Sequence, residues 1–183
     1  MHAEPGRETN TINILLVIDT EYIKKNYAAA GEYELSPVPV DPSCVFAIYS
    51  GMRDEPEGAS ECEGLLIEFG STLVFRATSV SNNSDDAVIV YQVNQMDGES
   101  SFTDWVTLAH AVRPDPQSVH GGVPPVEAEA SFQGQELILS EPGVQFIDIR
   151  FAMYTLAEDE QSQVLYGYFS LVMEVFATET PFE

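Results

Sequence analysis

The sequence predicts an all-β protein, an antiparallel β-sandwich of immunoglobulin-like or jelly-roll type with one short helix after the first strand. Three observations carry this. Apolar residues recur with period two wherever the chain is hydrophobic, which is the mark of a strand with one buried face. The strand-helix alternation of a parallel sheet is missing, which leaves two packed sheets as the way to bury those faces. The 183-residue chain is 44% hydrophobic and holds 10 Phe and 8 Tyr, enough to build a core despite its charge.

Residues 1–11 are polar, include Pro5 and Gly6, and read as a flexible N-terminal segment before a single β-sandwich domain over 12–180. Ile12 to Ile18 is the first strand. Asp19 or Thr20 then caps a short helix, with Glu21 in its first turn, Ile23 and Tyr27 on one face, and Lys24 and Lys25 towards its end. Gly31 and the series Pro37, Pro39, Pro42 force an extended connection. Strands are expected at Cys44 to Ser50, Leu65 to Phe69, Thr72 to Val80, Ala87 to Asn94 and Phe102 to Ala109, with weaker signals at Val126 to Phe132 and Glu136 to Leu139. Thr72 to Val80 and Ala87 to Asn94 flank a run of Asn, Ser and Asp from Ser81 to Asp86, and a hairpin is the simplest reading.

The last two strands are the clearest. In Phe146 to Met153, Ile147, Ile149, Phe151 and Met153 share one side, with Asp148 and Arg150 on the other. In Val164 to Phe176, Leu165, Phe169, Leu171, Met173 and Val175 share a face, and Gly167 in that row signals a close approach or a bulge. The loops at 52–63, with Asp54, Glu55, Glu57, Glu61 and Glu63, and at 113–125, with four prolines, are long and polar. The immunoglobulin order Cys, Trp, Cys is absent, because Trp105 follows both Cys44 and Cys62.

Thirty acidic residues against seven basic ones give a formal charge of -23. Such a chain repels nucleic-acid phosphates and anionic headgroups over a Debye length of about 8 to 10 Å. The basic residues are scattered, with only Lys24 and Lys25 adjacent, so neither nucleic acid nor a membrane surface is an expected partner. No apolar stretch approaches the roughly 20 residues needed to cross a bilayer, and no basic n-region leads into a signal-length apolar run, so a cytoplasmic location is expected.

Catalytic signatures are missing. The histidines are His2, His110 and His120, and there is no Gly-x-Ser-x-Gly elbow, phosphate-binding glycine loop or His-Glu-x-x-His. The expectation is no catalytic residue and no enzyme. Two clusters could bind something. Asn82, Asp85 and Asp86 place hard oxygen donors in one turn, which suits calcium, although turn chemistry accounts for the same residues. Asp19, Glu21 and Tyr22 at the strand-helix junction, together with Trp105, would suit a neutral ligand such as a carbohydrate; a helix cap and a core tryptophan are the simpler explanation of the same residues.

The run Ile12-Asn13-Ile14-Leu15-Leu16-Val17-Ile18-Asp19-Thr20-Glu21-Tyr22 resembles the opening of the AidA/PixA inclusion-body protein family. Gly70 to Val93 is similar to that family's central hairpin, and Phe151 to Leu156 with Leu165 to Phe169 to its closing strands. The resemblance implies a bacterial protein, in some members accumulated as cytoplasmic inclusions, with no enzymatic activity assigned. It makes self-association as an inclusion-body or storage protein the first functional expectation, and a lectin-like module using the loops at one end of the sandwich the second.

Overall fold

The computed structural model describes residues 10–28, 33–50, 65–68, 70–96, 105–115, 126–139 and 142–178. The expected N-terminal segment up to residue 9, the acidic loop at 52–63 and most of the proline-rich loop lie outside them. The chain forms β1 (Thr11–Ile18), α1 (Thr20–Asn26), β2 (Val38–Pro39), a 3₁₀ turn (Pro42–Cys44), β3 (Val45–Tyr49), β4 (Leu65–Glu68), β5 (Thr72–Ser79), β6 (Asp86–Gln95), β7 (Trp105–Asp115), β8 (Val126–Ile138), β9 (Gly143–Leu156) and β10 (Gln163–Thr178). Two five-stranded sheets result. One has the order β3-β1-β5-β8-β7, and the other β2-β10-β9-β6, with β4 also pairing β10.

The all-β sandwich is therefore present, with one short α-helix, after the first strand, among the described residues. Its sheets are mixed: β5 runs parallel to β1, and both β2 and β4 run parallel to β10. The remaining pairs are antiparallel. The core lies between the sheets. β1 contributes Ile12, Ile14, Leu16 and Ile18, β5 adds Leu73 and Phe75, and from the facing sheet come Ile147, Ile149, Phe151, Met153, Phe169, Leu171, Met173 and Val175. Full burial of each such side chain is worth about 1.5–3 kcal/mol, so the period-two rows supply the main driving force for folding.

Three expectations change. β5 and β6 do not form a hairpin, because β5 belongs to the first sheet and β6 to the second, so residues 80–85 cross between the layers. Leu165 is not in the inner row. A register shift between Leu165 and Gly167 pairs Leu165 with Tyr154 and Gly167 with Met153, so the row inverts at the bulge and Leu165 faces solvent. The two weak segments at 126–132 and 136–139 are one continuous strand, β8. The extended connection through Pro37 and Pro39 does form a short ladder, β2, and Pro42 opens the 3₁₀ turn capped by Asp41, whose Oδ1 accepts from Ser43 N–H at 2.9 Å.

Candidate functional site

One end of the sandwich gathers most of the candidate residues. β1 ends at Ile18 and β5 at Ser79, side by side in register, so α1 and the 80–85 crossing leave the same end of the first sheet. Val80 N–H donates to the Ile18 carbonyl at 3.2 Å and ties the two exits together.

α1 begins as its sequence dictates. Asp19 caps it, with Oδ1 accepting from Tyr22 N–H at 2.9 Å, while the Asp19 N–H donates to the Cys44 carbonyl at 2.8 Å. Ile23 is fully buried, and Tyr22 and Tyr27 pack against the core. The Tyr27 ring meets Phe169 edge-on, and its carbonyl accepts from the Tyr166 hydroxyl at 2.9 Å. The helix is thereby clamped to the second sheet as well as the first. Cys44 is buried at the base of this junction, its thiol donating to the Asp41 carbonyl at 3.0 Å, and Cys62 lies outside the described residues.

Asp86 is the centre of the cluster. It is 4% exposed, and Lys24 Nζ lies 2.8 Å from its Oδ2. Burial pushes the Asp86 carboxyl up, but hydrogen bonds with Lys24, Thr20 and Thr155, and the lysine's charge, outweigh it and hold the group below 3.8. Partial burial pushes Lys24 down, and contacts with Asp86 and Glu21 reverse this and raise it above 10.5. Glu21 is the exposed member, paired with Lys24 one turn along.

The crossing loop is built by local hydrogen bonds. Asn82 and Asn83 adopt positive φ, 56° and 61°, which asparagine tolerates better than most residues. Asn83 Oδ1 accepts from Ser79 N–H at 2.8 Å and from Val88 N–H at 3.1 Å, so it bridges the end of β5 to the start of β6. Ser79 Oγ donates to the Asp86 carbonyl at 2.6 Å, and Gln163 Nε2 reaches the carbonyls of Asn83 and Ser84 from the start of β10. Asp85 and Asn82 face solvent.

Of the residues proposed to bind a ligand or metal, Asp19, Glu21, Tyr22, Asn82, Asp85 and Asp86 thus share one end of the fold. Trp105 does not join them. It opens β7, where it pairs with Gln135, itself paired with Phe75, four residues short of Ser79 on β5. That is about 13 Å along the strand direction. Among the described residues no three His, Cys, Asp or Glu side chains form a group able to hold a metal ion, and no helix is long and apolar enough to cross a membrane.

Sequence reasoning missed a second cluster, on the outer face of the second sheet. Tyr91 and Tyr168 meet edge-to-face at 5.5 Å, and the Tyr91 hydroxyl donates to the Glu34 carbonyl at 2.8 Å. Burial is the main reason the Tyr91 phenol is pushed up to about 12. Arg150 beside them pairs with Asp148 at 2.7 Å and donates to Gln92 Oε1 at 3.3 Å. The sequence carries no signal for it, because the register shift between Val90 and Gln92 at Tyr91 leaves no trace in apolar periodicity.

The comparisons with known proteins bear on the whole chain. No curated protein matches it. Among solved structures, the crystal structure of an inclusion body protein, PixA, from Burkholderia cenocepacia J2315 superposes with a TM-score of 0.73 at 23% identity, covering 96% of this chain and 100% of that one, and shows the same fold. The family model described as PixA, inclusion body protein, matches residues 10–175, which takes in β1, α1, the crossing loop and all but the end of β10. The chain belongs to the PixA inclusion-body protein family.

Proposed function

We propose that this protein is a non-enzymatic, self-associating inclusion-body or storage protein of the bacterial cytoplasm. The observation that carries the reading is the family match over residues 10–175. The chemistry at the end of the sandwich supports it. Asp19 is committed to the helix cap, Asp86 to Lys24 and two threonines, and Asn83 to two backbone amides, so these polar groups hold the fold together. Divalent cations enter this reading as counterions to a chain of charge -23, calcium included, with Asp85 and Glu21 among the exposed carboxylates they would meet.

The experiment is light scattering and sedimentation velocity on the full chain across pH and across magnesium and calcium concentration. Reversible assembly is expected as the charge is neutralised, by acidification towards the pI near 4.1 or by cations. A protein that stays monomeric across the whole range while binding a neutral glycan on an array would overturn the storage reading in favour of the lectin-like one.

A further inference from the structure

We infer that copies of this chain associate face to face through the outer surface of the second sheet, at the end where β4, β9 and β10 lie together; this rests on the self-association proposed above. The surface follows from the register. Phe176 on β10 pairs with Leu66 of β4 on one side and Val144 of β9 on the other. In the next row Glu174 pairs with Phe146, and Met96 N–H donates to the Phe146 carbonyl at 2.8 Å, which places Met96 beside it just past β6. One row further, Val172 pairs with Asp148.

Leu66, Met96, Val144, Phe146, Val172 and Phe176 are all exposed, from 36% at Phe176 to 56% at Met96. Outward positions of a half-buried sheet are ordinarily polar, as Asp148, Arg150 and Ser170 are further along the same strands. The six side chains expose roughly 500 Å² of apolar surface, at the upper end of what a monomer normally shows. Two copies packed through it would bury about 1,000 Å², which reaches the lower bound for a specific contact.

Charge selects a second copy as the occupant. A chain of -23 can pack against itself only where carboxylates are sparse. Among the rows described, the surface carries one carboxylate at its centre, Glu174, with Glu68 at its corner beside Thr178, while Asp148 is neutralised by Arg150. A two-fold contact through this face brings the Glu174 side chains of both copies into one layer, so Glu174 weakens the association without blocking it.

The test is sedimentation velocity of the full chain at neutral pH over a magnesium and calcium series, with thermal unfolding of each variant to show that the monomer is intact. Val144→Glu and, independently, Val172→Glu are expected to weaken association at least about tenfold, because each buries an unpaired charge in the contact. Glu174→Gln is expected to strengthen it up to about fivefold. Phe46→Glu, at an exposed apolar position of β3 in the other sheet, is expected to leave it unchanged. If the native chain assembles and both Val144→Glu and Val172→Glu assemble equally well, the self-association reading stands and this contact is wrong. A loss caused by Phe46→Glu alone moves the contact to the first sheet. A native chain that never assembles removes the self-association reading itself, and this inference with it.

Discussion

At the scale of single residues, Asp86 shows how a strongly acidic chain uses one of its few cations. A carboxylate that is 4% exposed must be compensated, and Lys24 with Thr20 and Thr155 does so. Removing it by Asp86→Ala leaves two threonine side chains without their acceptor and Lys24 with only the exposed Glu21, and the expected loss is about 2–3 kcal/mol. That is below the value for a fully buried pair, because the Lys24 side chain is 29% exposed and can turn to water. Asp86→Asn keeps hydrogen bonding but not charge and should cost less. The pH dependence follows from the two shifts. The Asp86 carboxyl is held below 3.8, so its contribution is present above that pH and fades as pH falls through the folded value. Lys24 is raised above 10.5, so its contribution is present below that pH and fades as pH rises past it. The stability difference between the native chain and Asp86→Asn, measured by denaturant unfolding, should be flat from about pH 5 to pH 10 and shrink on both sides. A difference that persists undiminished at pH 2 would refute the role of the charge.

Among the elements, α1 is held by a few identifiable side chains. Seven residues are too few to form a helix unaided, so the cap and the tertiary contacts of Ile23, Tyr22 and Tyr27 hold it. Asp19→Ala removes the acceptor for Tyr22 N–H and should cost about 1 kcal/mol in thermal or chemical unfolding, while Asp19→Ser should recover most of it. A cost near zero would show that the Asp19 backbone bond to Cys44 suffices. This helix was legible in the sequence because its signals are local: a capping residue, an acid in the first turn, lysines later. The inner rows of β1, β9 and most of β10 were legible for the same reason, since period two needs no knowledge of partners. What was illegible is non-local. The Asn-rich crossing from Ser81 to Asp85 has the chemistry of any tight reversal, and nothing local says whether the next strand returns beside β5 or moves to the opposite sheet. The answer lies in Val88, Val90 and Val93, which face the shared core from the other side. Likewise the bulge at Tyr166 inverts the side on which Leu165 lies, and a strict alternation carried through it must fail. The candidate site was legible as residues but not as an assembly: Asp86 was read as a metal donor because its partner, Lys24, sits 62 positions away in the chain.

Across the whole molecule, thirty carboxylates face seven cations, and the structure draws down even that small supply. Lys24 is paired with Asp86 and Glu21, Arg150 with Asp148, and Arg76 donates to Asn13 at 3.1 Å, so much of the positive charge is used inside the fold. The exposed carboxylates then repel one another over distances comparable to the Debye length. Salt acts on the two kinds of interaction unequally. It screens the exposed repulsions strongly and the partly buried pairs at Asp86 and Asp148 weakly, so its net effect on the monomer is stabilising. Raising sodium chloride from about 0.01 M to about 0.15 M shortens the Debye length from about 30 Å to about 8 Å. The gain expected is about 1 kcal/mol, a rise of roughly 2–4 °C in Tm for a domain of this size. The measurement belongs at protein concentrations where sedimentation shows only monomer, because assembly would add its own stabilisation. A Tm that falls with salt would mean that the ion pairs outweigh the repulsion, and the case for Glu174 as a brake on association through the β4, β9 and β10 face would weaken with it. A rising Tm and rising association over the same salt range would instead identify one cause for both: the charge that keeps the chain apart is also the charge that strains it.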